Sequence, residues 1–122
     1  MTRDEVAREL VAGCRDGRET ENIDKLYAKD AVSVEAADMG NGRETVGRAG
    51  IHGKHEWFAS MYDQVSGDVS DPMPHGDDRF AVIFDMTMKK RETGETEHMR
   101  DIGVYTVKNG KIVREEFFYP TT

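Results

Sequence analysis

Two acidic residues in the C-terminal third, Asp101 and Glu115, stand where the pattern otherwise places apolar or aromatic side chains. A carboxylate on the core-facing side of a strand is costly to bury unless it is paired or neutralised. Acids at such positions therefore indicate a cavity, in which poor solvation raises the pKa of a carboxyl group. Two such groups could divide the roles of acid and base in a proton transfer.

These acids lie in or next to three runs in which apolar and polar residues alternate, residues 79–90, 95–107 and 111–120. Gly-containing turns at 92–94 and 108–110 join them. Alternating strands separated by tight turns are typical of an antiparallel meander. The sequence therefore predicts that the C-terminal third forms most of a sheet.

The N-terminal half has the apolar spacing of helices. Thr2 and Glu5 have the spacing of a capping box, and we expect the first helix to end at Gly17. A second helix is expected from about residue 20, and a third over 46–62.

Between the second and third helices, residues 31–35 predict a strand and residues 38–45 a polar loop. After the third helix, residues 64–78 predict a short strand that enters an irregular loop. Three helices followed by an antiparallel sheet indicate one α+β domain over residues 1–122, with the helices packed on one sheet face.

Composition disfavours several classes of partner. The chain has 34% charged residues and a formal net charge of -7, so it should repel the phosphate backbone of a nucleic acid. No window has the uninterrupted apolar run of a membrane span, and the first five residues lack the apolar core of a signal peptide. We therefore expect a cytoplasmic protein that binds neither nucleic acid nor membrane.

Four segments carry a family resemblance: Tyr27–Ala31, the Val34-Glu35 pair, Gly47–Ile51 and Val104–Val113. They resemble the nuclear transport factor 2-like superfamily, and within it the polyketide-cyclase-like (SnoaL-like) and ketosteroid-isomerase-like branch. The resemblance implies a cone-shaped, cystatin-like domain, in which three N-terminal helices pack on a curved, mostly antiparallel sheet around a ligand cup. Activities in this superfamily differ, because function depends on the site and not on the fold.

The same resemblance adds a third carboxylate. Glu35 falls where ketosteroid isomerases carry their general-base aspartate, which implies a role as a base. Leu10 or Val11 falls where the isomerase has its oxyanion-binding tyrosine, and Gly103 where it has a protonated aspartic acid. Since both oxyanion donors are missing, we do not expect a true ketosteroid isomerase.

Which side chains line the cup depends on the turn at 108–110. A two-residue type I′ turn would place Glu115 opposite Val104, whereas a three-residue turn with a bulged Gly110 would place it opposite Gly103. We choose the bulged register, because it matches the cavity walls of the isomerase-like relatives.

In the bulged register Asp101 and Glu115 are diagonal neighbours, and at least one of them should have a raised pKa. We expect the largest rise at Glu115, which has apolar neighbours and no cationic partner. The candidate substrate-binding side chains are Trp57 and Met61 on the third helix, and Phe84, Met86, Met99, Tyr105, Phe117 and Tyr119 on the sheet. The outer sheet face would carry Ile102, Val104, Ile112 and Phe118, an apolar patch that predicts a homodimer.

These residues predict a small enzyme without cofactor or metal that acts on a neutral, mostly apolar organic molecule. The reaction would be proton abstraction next to a carbonyl, followed by isomerisation, cyclisation or elimination. Glu35 or Glu115 would be the base, and protonated Asp101 or a Tyr or Trp side chain would donate to the oxyanion. The acidic lining argues against anionic substrates. The competing prediction is a ligand-binding or dimerisation module that catalyses no reaction.

Overall fold

The computed structural model describes residues 1–38 and 40–121. Its three helices are α1 (Arg3–Asp16), α2 (Glu19–Leu26) and α3 (Arg48–Met61). The predicted capping box is present, since the Thr2 hydroxyl accepts from the Glu5 amide and the Glu5 carboxylate accepts from the Thr2 amide. Gly17 ends α1 with φ 77°, a left-handed conformation that glycine adopts without a steric penalty. No helix of the described residues is long and apolar enough to cross a membrane.

The described residues form one sheet of seven strands: β1 (Tyr27–Val34), β2 (Glu44–Val46), β3 (Tyr62–Val69), β4 (Met73–His75), β5 (Arg79–Lys90), β6 (Thr96–Lys108) and β7 (Lys111–Phe118). The order is β2-β1-β7-β6-β5-β3, with β4 paired to β5. The predicted meander is β5, β6 and β7. All pairs are antiparallel except β1 with β7, which run parallel and bring Ser33 beside Glu115.

The core lies between the helices and the inner face of the sheet. It contains apolar side chains from all three helices, among them Leu10, Ile23 and Ile51, which pack with Phe80 and Ile112 of the sheet. Burying each such side chain contributes about 1.5–3 kcal/mol relative to leaving it exposed. This packing fixes α3 against β1 and so determines which α3 side chains reach the inner face.

The last hairpin differs from both predicted registers. Asn109 and Gly110 have φ angles of 52° and 75°, as a two-residue type I′ turn requires, and Lys108 pairs with Lys111. The register then shifts by one residue, because Val113 is an extra residue on β7 that no residue of β6 faces. Glu115 consequently faces Tyr105, not Gly103 or Val104.

This bulge has two consequences for the predicted faces. Ile112 precedes it and is fully buried in the core, so its assignment to the outer face is wrong. Glu115 follows it and returns to the inner face. Asp101 and Glu115 are not diagonal neighbours, because Asp101 lies four residues from Tyr105 along β6, about 13 Å at strand spacing.

Candidate functional site

Glu115 is the most deeply buried carboxylate of the site, with 2% of its surface exposed. Its Oε1 accepts a hydrogen bond from the Tyr27 hydroxyl, and its Oε2 accepts one from Ser33 Oγ at 2.6 Å. Burial raises the pKa of Glu115, while the hydrogen bonds from Ser33 and Tyr27 and the charge of Lys54 oppose that rise. The expected direction of the shift is thus confirmed, but the expected absence of a cationic partner is wrong. That this rise is the largest among the site carboxylates stays a prediction.

Lys54 of α3 connects the two glutamates. Its Nζ lies 2.6 Å from Glu35 Oε1 and donates to Ser33 Oγ at 2.8 Å. The same ammonium lies 5.7 Å from the centroid of the Phe117 ring, within the range of a cation–π contact. Because Ser33 accepts from Lys54 and donates to Glu115, a lysine charge is linked through one hydroxyl to a buried acid.

Glu35 follows the last residue of β1 and has a partner on each carboxylate oxygen. Lys54 is on Oε1, and the Tyr119 hydroxyl donates to Oε2 at 2.8 Å. Burial and the hydrogen bond to Glu35 raise the pKa of Tyr119 to about 12. The phenol therefore stays protonated near neutral pH and remains a donor. The connected side chains Tyr27, Glu115, Ser33, Lys54, Glu35 and Tyr119 are called the inner polar chain below.

Asp101 of β6 lies outside this chain. It is half-buried and pairs with Phe84 of β5 across the ladder. Burial, and secondly the charge of Glu35, raise the pKa of Asp101 to about 6. Within residues 1–38 and 40–121, no side chain donates a hydrogen bond to it. Asp101 is therefore a carboxylate that can exchange a proton near neutral pH.

Aromatic rings pack beside Gly103 on the inner face of the sheet. Tyr105 stacks on Phe80 with ring centroids 4.9 Å apart and meets Phe117 edge-on at 6.4 Å. Gly103 lies beside the Tyr105 and Phe84 rings. A Cβ atom at this position would be 3.0 Å from the Tyr105 ring and 3.1 Å from the Phe84 ring. These rings occupy the space that an acidic side chain at position 103 would need.

The other predicted contact residues divide into two groups. Met86 and Met99 are half-buried and pair with each other on the inner face of β5 and β6. Trp57 and Met61 are on α3 and are 55% and 39% exposed. Two surface concavities, of about 360 Å³ beside α1 and about 600 Å³ beside β2, are lined by none of Glu35, Asp101 and Glu115.

Sequence and structure comparisons agree with this architecture. A model of the SnoaL-like domain matches residues 1–119. The crystal structure of a candidate SnoaL-like polyketide cyclase from Mesorhizobium loti has a TM-score of 0.90 at 33% identity, covering 98% of this chain and 100% of that one. The chain belongs to the SnoaL-like family. None of the curated proteins matches it.

Two more distant structures share the fold of this SnoaL-like domain. An NTF2-like protein from Burkholderia thailandensis has a TM-score of 0.84 at 19% identity, covering 99% of this chain and 92% of that one. TerC, crystallised with polyporic acid, has a TM-score of 0.74 at 23% identity, covering 98% of this chain and 92% of that one.

Sequence reasoning missed three residues of the inner polar chain: Tyr27, Ser33 and Lys54. A weak signal existed for two of them. Ser33 of β1 lies two residues before Glu35, which directly follows the strand, so strand alternation places the two side chains on the same side. Lys54 lies three residues after the buried Ile51 on α3, on the side that faces the sheet. Nothing local indicated that Ser33 would bind Glu115 or that Lys54 would bind Ser33.

Proposed function

We propose that this SnoaL-like domain binds a small, neutral, mostly apolar organic molecule on the inner face of its sheet and moves a proton next to a carbonyl of that molecule. Isomerisation, cyclisation or elimination would follow, without a cofactor. The observation that carries the proposal is Asp101, a half-buried carboxylate that pairs with Phe84 and accepts no side-chain hydrogen bond within the described part of the chain. A base in such a place can accept a proton from a bound molecule and return it.

We assign the proton transfer to Asp101 and not to Glu35 or Glu115, which the sequence favours as bases. Both oxygens of each glutamate already accept hydrogen bonds or an ion pair from the inner polar chain. A carboxylate held in this way must lose a partner before it can take a substrate proton. Asp101 requires no such rearrangement.

The contact surface that we propose is formed by Phe84, Met86, Met99, Tyr105, Phe117 and Tyr119, with Trp57 and Met61 at its edge on α3. Aromatic rings and thioethers of this kind suit a flat, apolar ligand. The crystal structure of TerC with polyporic acid supports the proposal that this fold can bind an organic molecule.

We also propose that the domain forms a homodimer through the outer face of β6 and β7. Ile102 and Phe118 pair directly across these strands and are 44% and 46% exposed. Val104 lies beside them, whereas Ile112 does not belong to the patch. Apolar side chains that are adjacent and exposed are stabilised when a second subunit covers them.

The competing function is a binding module without turnover. In that case the inner polar chain would serve only to anchor α3 against β1 and β7. The two functions differ in one measurable property, since only the enzyme accelerates proton exchange on carbon.

The test measures deuterium incorporation next to the carbonyl in a panel of enolisable apolar ketones in D₂O, by NMR. We expect wild type to accelerate exchange for at least one ketone, and Asp101→Asn to lower that rate by about 10²–10⁴-fold, the usual contribution of a general base. Asp77→Asn, in an exposed turn, is the matched control and should leave the rate unchanged. Saturable ketone binding without accelerated exchange would favour the binding module.

A further inference from the structure

The Lys54 ammonium has donor capacity that the inner polar chain does not use. An ammonium group carries three N–H donors. One donates to Ser33 Oγ at 2.8 Å, and the ammonium also forms an ion pair with Glu35 Oε1 at 2.6 Å. The Lys54 side chain nevertheless remains 25% exposed. The remaining donor capacity can therefore serve a molecule that lies against Phe117, whose ring centroid is 5.7 Å from the ammonium.

We propose that a remaining N–H donor of Lys54 binds an oxygen of the ligand, and that the site selects molecules whose oxygen becomes negative when a proton leaves. Enolisable carbonyl compounds and acidic phenols are the two chemical forms of this class. The inference rests on the proposed function for the position of the ligand. It adds the group that recognises the ligand and the atom that is recognised.

The proton and electron balance of such a step is complete. The substrate C–H bond breaks, and the Asp101 carboxylate takes the proton. The C–H electron pair forms the new C=C bond, and the π pair of the C=O bond moves onto the oxygen, where the Lys54 ammonium donates a hydrogen bond to the enolate. Reversal of these movements at another carbon returns the proton and gives the isomer.

The groups facing Lys54 explain why it suits this role. Glu35 is in direct contact, Glu115 is one hydroxyl away, and Tyr119 donates to Glu35. These partners hold the ammonium in one place, so no reorganisation is needed when charge develops on the ligand. The sequence predicts an acidic lining for the ligand cup, but the Lys54 ammonium adds a positive charge beside Glu35.

A purely structural lysine is the alternative. Lys54 would then only neutralise Glu35 and Glu115, and its removal would destabilise the fold without changing how an oxygen of the ligand ionises. Stability measurements do not separate the two roles, whereas the ionisation of a bound phenol does.

The test uses 4-nitrophenol, whose ionised form absorbs in the visible, titrated between pH 6 and pH 10 in the presence of saturating protein. We expect the pKa of the bound phenol to be about 1–3 units lower in wild type than in Lys54→Met, the range for an opposite charge within 4–6 Å. Lys54→Arg, which keeps the charge, should lie nearer to wild type. Lys108→Met, at the exposed end of β6, is the matched control for loss of a distant positive charge and should equal wild type.

Equal phenol pKa values in wild type and Lys54→Met would overturn the proposal, and so would the absence of saturable binding of 4-nitrophenol to wild type. If Lys54→Met does not fold, the test compares the affinity of wild type for ionised 4-nitrophenol with its affinity for nitrobenzene. Binding of the ionised phenol more weakly than nitrobenzene would then refute the proposal. The outcome is independent of the ketone exchange assay: loss of exchange in Asp101→Asn with no Lys54 effect on the phenol would leave the proposed function standing and remove only this inference.

Discussion

Glu115 and Glu116 are consecutive residues of β7, yet they lie in opposite environments. Glu115 is 2% exposed and accepts hydrogen bonds from Tyr27 and Ser33. Glu116 lies on the outer face, with a side chain 30% exposed and Arg114 at 3.4 Å. An exposed ion pair of this kind contributes about 0–1 kcal/mol, because water solvates both partners well. On the inner face water is largely excluded, so each charge depends on its protein partners.

The same contrast holds between the two cations of these faces. Lys54 contacts Glu35 and Ser33 with a side chain only 25% exposed, whereas Arg114 is 45% exposed. The residue types alone therefore do not determine whether charged side chains form a site. Their position relative to the core determines it, because water cannot replace the partner of a charge that is shielded from solvent, and removing that partner then destabilises the fold.

The largest expected effect is loss of the inner cation. Lys54→Met should destabilise the fold by about 2 kcal/mol, which is less than the 3–5 kcal/mol typical of a fully buried pair because both side chains are about a quarter exposed. Arg114→Met is the matched change on the outer face and should cost less than about 0.5 kcal/mol. Urea unfolding of the two variants measures both values. Equal losses would show that the inner face is as well solvated as the outer one.

The next effect concerns the apolar part of the outer face. Phe118→Asp places a charge in the proposed dimer contact, and we expect the dimer dissociation constant to rise at least about tenfold, or about 1.4 kcal/mol. Val65→Asp, at an exposed valine of β3, is the control and should leave the dissociation constant unchanged. Sedimentation across the micromolar range gives these constants. A wild-type protein that stays monomeric throughout would contradict the dimer itself.

The smallest effect depends on pH. Burial raises the pKa of Glu115 in the folded state above its ordinary value of 4.5. The folded protein therefore binds this proton more tightly than the unfolded chain, and the free energy of unfolding falls as pH rises from that ordinary value through the raised one. Glu115→Gln carries no such proton, so its stability relative to wild type should improve from pH 5 to pH 8.

Urea unfolding at these two pH values tests the prediction, with Glu116→Gln as the neighbouring control. The control should change stability by less than about 0.5 kcal/mol at both values, because its only described partner is an exposed arginine. If Glu115→Gln shows no gain at pH 8, then Lys54 and the two hydroxyls stabilise the Glu115 charge enough to offset its burial.

Local features of the fold were predictable because their signals are local. The capping box at Thr2 and Glu5, the end of α1 at Gly17 and the three strands of the meander follow from spacing within a few residues, and all are present. Asp101 was recognisable as a perturbed acid from its alternating surroundings, and its pKa is raised to about 6.

The helices and strands, the family and the presence of acids on the inner face were all predictable from the amino-acid sequence. The hydrogen bonds and the ion pair that these acids form depend on the tertiary structure. The bulge at Val113 sets the register of β7, and no residue type at that position distinguishes a bulged residue from a paired one. Ser33 binds Glu115, 82 residues away in the sequence, because β1 pairs in parallel with β7. Ser33 also binds Lys54, 21 residues away, because α3 packs against β1. Such contacts depend on the summed packing of distant segments, so no local pattern encodes them.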